Sequence, residues 1–128
     1  MPLLTDAPPV AFILTADRDK AEAFYGDVLG LKQTGKDPFA TSYDLAGTLL
    51  RLTSVPGHVP GPHTVIGWQV PDIRVTIAEL KAKGVAMMIY DGFDQDADGV
   101  WSDDDRGVKL AWFNDPEGNN LSLTQSAA

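Results

Sequence analysis

VAFILTADRDKAEAFYGDVLG, residues 10–30, is the stretch from which the rest of the chain can be read. Val10 to Ala16 is an apolar run of strand length, and the Asp17 that follows it is a residue type whose carboxylate caps helices. Ala21, Phe24, Tyr25 and Val28 then keep the i, i+3, i+4, i+7 spacing of one helical face, and Gly30 ends the segment. The same grammar returns in VIGWQVPDIRVTIAELKAKG, residues 65–84. Here the strand is Val65 to Val70, the cap is Asp72, the apolar face is Ile73, Ile77 and Leu80, and the terminator is Gly84. Asp to Gly spans 13 positions in the first copy and 12 in the second. A period of this size marks a duplicated supersecondary unit.

Alternating segments bounded by turn residues follow each helix. Strands are expected near Leu31–Lys36, Ala40–Ala46 and Thr48–Ser54, and then near Val85–Asp91, Gly99–Ser102, Val108–Asn114 and Asn120–Thr124. The shared order is strand, helix, three strands. The expected fold class is therefore α+β, with two βαβββ repeats over about 8–55 and 63–125 and a Pro/Gly-rich linker at 56–62. A half of this size cannot bury an exposed sheet face alone, so the two repeats are expected to pair into a single domain, 1–128, with a concave mixed sheet.

Composition excludes several classes. The chain has 128 residues, is 44% hydrophobic and contains no cysteine, so disulfides, thiolate–zinc clusters and a Cys nucleophile are all absent. No apolar run reaches the roughly 20 residues of a membrane helix, and no basic residue precedes the first apolar stretch, so the expectation is a cytoplasmic protein. Eighteen acids against ten bases give a net charge of −8, and seven of the acids lie between Asp91 and Asp105 with no base among them. No basic face is available to meet phosphates, so nucleic acid is not an expected partner.

With its decorating residues, this framework resembles the vicinal oxygen chelate superfamily, also called the glyoxalase / bleomycin resistance / extradiol dioxygenase group. The resemblance rests on Asp17 with Phe24-Tyr25 and Val28-Leu29-Gly30-Leu31, on Val70-Pro71-Asp72-Ile73, and on the late hairpin Trp112-Phe113-Asn114-Asp115-Pro116-Glu117-Gly118-Asn119. It covers nearly the whole chain. The resemblance implies a divalent metal held from four strand positions by His, Glu or Gln. Counted from the motifs, those positions hold Val10, Arg51, Val65 and Ser122, which supply neither imidazole nor carboxylate. The expectation is that the fold carries over while the family's metal site does not, and that the chain has no cofactor.

Alternation in the same register places Phe12, Leu14, Leu49, Arg51, Thr53, His63, Gly67, Gln69, Asn120, Ser122 and Thr124 on a cavity wall. The more apolar parity, Ile13, Leu50, Leu52, Ile66, Trp68, Val70, Leu121 and Leu123, faces the helices. Tyr43, Trp101, Trp112 and Phe113 are candidates for an aromatic wall or for plain core. An Arg51 guanidinium in such a cup needs an anion, either a carboxylate such as Asp44 or a ligand. His63 is a candidate acid or base, although it sits beside His58 in the linker. Asp94, Asp96, Asp98 and Asp105 fit a D-x-D-x-D-G calcium pattern with an acid at the twelfth place, with a solvated loop as the other reading.

The resemblance implies a small-molecule binding protein of the bleomycin resistance kind, working as a homodimer, with ligand contacts from Tyr43, Arg51, His63, Gln69, Trp101, Trp112 and Ser122. The alternative is a glyoxalase-like lyase or isomerase, or a dioxygenase-related activity, in which Arg51 stabilises an enolate and His63 acts as base.

Overall fold

The structure is a computed structural model that describes residues 3–127. Two compact units divide between Val59 and Pro60, inside the expected linker. In the first unit, β1 (Val10–Thr15) leads into α1 (Arg18–Glu22), followed by β2 (Lys32–Lys36), β3 (Ala40–Leu45) and β4 (Thr48–Ser54). The sheet order is β1-β4-β3-β2, with β1 parallel to β4 and the other pairs antiparallel. Strand alternation turns Ile13, Thr15, Thr41, Tyr43, Leu50 and Leu52 to one side, each at most 1% exposed. Ala21 of α1 and the Phe24 and Tyr25 that follow it are also buried, and α1 lies against β4. The Asp17 carboxylate accepts from the Lys20 amide, as an N-cap should.

The second unit repeats the plan: β5 (Thr64–Gln69), α2 (Ile73–Ala82), β6 (Trp101–Asp103), β7 (Val108–Asn114) and β8 (Asn120–Gln125). Its order, β5-β8-β7-β6, has the same parallel first pair and antiparallel remainder. Ile73, Ile77 and Leu80 of α2 are buried, as are Ala111, Phe113, Leu121 and Leu123 of β7 and β8. Asp72 caps α2 by accepting from the amides of Arg74 and Val75. The β7–β8 turn closes on the buried Asp115, whose carboxylate accepts from the Glu117 and Asn119 amides and from Asn119 Nδ2 at 2.8–3.0 Å. Gly118 takes φ +100 there, a conformation costly to any residue with a Cβ.

Three expectations are corrected. The first helix does not run as α-helix to Gly30, because it widens into a π-helical turn over Ala23–Val28, where the Leu29 amide reaches the Phe24 carbonyl at 2.9 Å. The wider turn rotates successive side chains by less, which keeps the neighbouring Phe24 and Tyr25 both inward as an edge-to-face pair 5.2 Å apart. The second correction is that no strand forms over 85–91. Its ladder is a single bridge, Met87 to Phe113, plus the Met88 amide on the Trp112 carbonyl. Two more of its backbone groups meet one side chain: Gln95 Oε1 accepts from the Tyr90 amide, and Nε2 donates to the Met88 carbonyl and, beyond the segment, to that of Gly99. A side chain that meets backbone groups in this way replaces a strand partner. The sixth strand also starts later than expected, at Trp101. Among the described residues no helix is long and apolar enough to cross a membrane.

Candidate functional site

The face of the second sheet opposite α2 gathers most of the aromatic side chains of its unit. Register pairs Trp112 with Ser122, Leu110 with Thr124, Trp101 with Leu110, Gly67 with Ser122, and Gln69 with Thr124, so all of these share the face turned away from Phe113 and Leu121. The expected ligand residues Gln69, Trp101, Trp112 and Ser122 are therefore brought together. Gly67 matters to this arrangement, because a Cβ there would run into the Ser122 hydroxyl.

Two aromatics that the sequence reading passed over complete the surface. Tyr90 and Phe93 come from the irregular segment after α2. Phe93 lies 5.3 Å from Trp112 and stacks on Trp101 at 6.4 Å and 16°, while Tyr90 stands edge-on to Trp112 at 5.9 Å. Phe93 is 46% exposed, and an aromatic left in water among Asp91 and Asp94 was the one signal in the sequence. At the edge of this wall is a polar corner. Asn120 Nδ2 donates to Tyr90 Oη at 2.8 Å and to Asn114 Oδ1 at 3.1 Å, and Thr64 Oγ1 donates to Asn120 Oδ1 at 2.6 Å.

The loop that carries Phe93 is clamped to the helix on the other side of the sheet. Arg74 of α2 bonds Asp96 at 2.7 Å and Asp98 at 2.9 Å, and Lys81 reaches Asp98 at 3.2 Å. The Arg74 guanidinium holds the Asp96 carboxyl below its ordinary range, and Asp96 in turn raises Arg74. Two of the four carboxylates of the calcium pattern thus already face built-in cations. Among the described residues no group of three or more His, Asp or Glu could hold a metal ion.

In the first unit, Phe12 at 58% exposure, Val10 at 44% and Leu49 at 38% share with Arg51 the sheet face opposite Ile13, Leu50 and Leu52. The partner of Arg51 is Asp37 at 3.0 Å, not Asp44, whose carboxylate instead accepts from the Gly47 amide in the β3–β4 turn. Asp37 is held below the usual carboxylate range first by the amides of Phe39 and Ala40 and then by Arg51. Arg18 fixes the same turn by donating to the carbonyls of Asp37 and Pro38. Tyr43, expected on the ligand side, pairs with Leu50 on the buried side at 1% exposure. His63 is exposed just ahead of β5.

The metal positions implied by the family resemblance hold two valines, an arginine already paired to Asp37, and a serine that touches the backbone of β5. This donor set does not fit a divalent cation. An open crevice of about 420 Å³ lies elsewhere in the unit, at the end of α2 between Val85, Met87, Ile89 and Ala97. It has no cluster of reactive side chains, so the aromatic face remains the chemical focus.

The fold is widely shared. Similar solved structures include an antibiotic binding protein, TnmS3, from a Streptomyces species, with 23% identity, TM-score 0.69, and coverage of 98% of this chain and 100% of that one. A glyoxalase family protein from Enterococcus faecalis matches with 18% identity, TM-score 0.74, and coverage of 95% and 99%. FosX, a fosfomycin resistance protein from Listeria monocytogenes, matches with 13% identity, TM-score 0.73, and coverage of 97% and 96%. A search of curated proteins found no match. The model of the Glyoxalase/Bleomycin resistance protein/Dioxygenase superfamily matches residues 8–123. Two βαβββ units in the same strand order, matched along nearly their whole length, make this chain a member of that superfamily.

Proposed function

We propose that the chain binds a small planar organic molecule on the aromatic face of its second unit, without the family's divalent metal. The observation that carries this reading is the meeting of Tyr90, Phe93, Trp101 and Trp112 on one sheet face, beside an acidic loop. Offset and edge-to-face aromatic contacts hold a flat ring, and Asp91, Asp94, Asp104 and Asp105, which among the described residues join none of the loop's ion pairs, favour a cationic one. The positive charge of Arg51 does not oppose this, since Asp37 neutralises it. That a structural neighbour is an antibiotic binding protein supports the same class of function. The protein is read as a homodimer, in keeping with the superfamily. The lyase or isomerase alternative needs an Arg51 free to meet an enolate, and that guanidinium already holds a carboxylate.

Titration with the planar cation proflavine, followed by tryptophan fluorescence, tests the reading. Saturable binding is expected, weakened about tenfold by Trp112→Ala through loss of stacking. If the wild type bound neither proflavine nor neutral planar rings, the reading would fall. Native mass spectrometry of the same sample reports the oligomeric state and any co-purified small molecule.

A further inference from the structure

Resting on that reading, we infer that the ligand carries a hydrogen-bond acceptor, a carbonyl oxygen or an unprotonated ring nitrogen, on the edge that meets Tyr90, and that the Tyr90 hydroxyl is the donor that selects it. The argument runs through Asn120, only 6% exposed, whose amide orientation fixes the direction of the whole corner. Its contact with Thr64 Oγ1 is 2.6 Å, within the range of O–H···O bonds and shorter than N–H···O bonds run. The oxygen Oδ1 therefore faces Thr64, and Nδ2 faces the other way.

Both hydrogens of Nδ2 are then used, one on Tyr90 Oη at 2.8 Å and one on Asn114 Oδ1 at 3.1 Å, each an ordinary N–H···O length. Tyr90 Oη is thereby an acceptor toward the protein. A phenol also has one proton to give, and among the described residues no acceptor takes it. Tyr90 is 36% exposed and its ring is edge-on to Trp112, on the face where a flat molecule would stack. A ligand acceptor over this corner completes the chain Thr64, Asn120, Tyr90, ligand. A bare hydrocarbon ring displaces water from the phenol and returns nothing.

The test is a titration of the full chain with fluorenone and with fluorene, flat rings of the same size with and without an edge carbonyl, in wild type and Tyr90→Phe. Wild type is expected to bind fluorenone about fivefold more tightly than fluorene, the worth of one neutral hydrogen bond. Tyr90→Phe is expected to bind the two equally, and the ratio of the two affinities within each protein is the readout, because Tyr90 itself belongs to the stacking wall. A preference that survives in Tyr90→Phe, or no preference in wild type, overturns the inference while leaving ring binding in place. Binding of neither compound overturns the binding reading itself. If Tyr90→Phe alters fluorene affinity, Asn120→Asp decides, since a carboxylate there takes the Tyr90 proton and keeps the ring: loss of the preference supports the inference and its persistence refutes it.

Discussion

Tyr43 brings a hydroxyl to 1% exposure among Ile13, Leu50 and Leu52, and among the described residues that hydroxyl has no hydrogen-bond partner. Burial raises its pKa, and the charges of Glu22 and Asp27 add to the rise, so the phenol stays neutral. A buried, unsatisfied polar atom costs about 1 kcal/mol or more, so Tyr43→Phe is expected to stabilise the fold by about 1 kcal/mol, read as a higher urea midpoint at constant slope. A lower midpoint would mean that the hydroxyl has an unseen partner. Asp37 gives a second residue-scale expectation. Its folded pKa is depressed, so its contribution to stability is present above the ordinary carboxylate range near about pH 4 and is lost as pH falls through the lowered folded value. In Arg51→Ala, carboxyl NMR should find the Asp37 pKa higher than in wild type and still below that of a free carboxylate. The amides of Phe39 and Ala40, the larger cause of the depression, remain in place.

At the scale of elements, the segment between α2 and β6 is ordered by side chains. Gln95 supplies the inner hydrogen bonds and Arg74 the outer clamp, and Phe93 is carried between them. Both Arg74 pairs are nearly half exposed, so Arg74→Ala is expected to cost only about 0.5–1 kcal/mol in urea unfolding. The same variant should lower proflavine affinity several-fold by loosening Phe93, and a stability loss without any affinity change would separate the clamp from the site. The Asp96 carboxyl, lowered chiefly by Arg74, makes this clamp a feature of pH above the ordinary carboxylate range that is lost as pH falls through the depressed value. Core elements behave differently. Leu121→Ala removes a side chain with no exposure and is expected to cost about 2–5 kcal/mol.

For the whole molecule, the net charge of −8 and its concentration in residues 91–105 set how ligands are approached rather than how the chain folds. Between 20 mM and 500 mM salt, proflavine affinity is expected to fall several-fold while fluorenone affinity holds nearly constant, because only the cation feels the screened field. Equal salt response would remove the acidic loop from the account of binding. The duplicated strand–helix grammar, the caps Asp17 and Asp72, and the buried parity of Ile13, Leu50, Leu52, Leu121 and Leu123 were all legible in the amino-acid order, because periodicity and capping are local properties of the chain. The same alternation put Gln69 and Ser122 on one face, whereas for Trp101 and Trp112 it left the choice between that face and the core open. Only the tertiary structure brought Tyr90 and Phe93 onto that face, chose Asp37 over Asp44 for Arg51, turned Tyr43 into the core, and set Arg74 against the acidic loop. Phe93 with Trp112, Arg51 with Asp37, and Arg74 with Asp96 and Asp98 lie 14 to 24 positions apart and meet through irregular backbone, where no period constrains a side chain's direction and packing selects its partner, whereas the side of Tyr43 was decided by the register of β3 against β4.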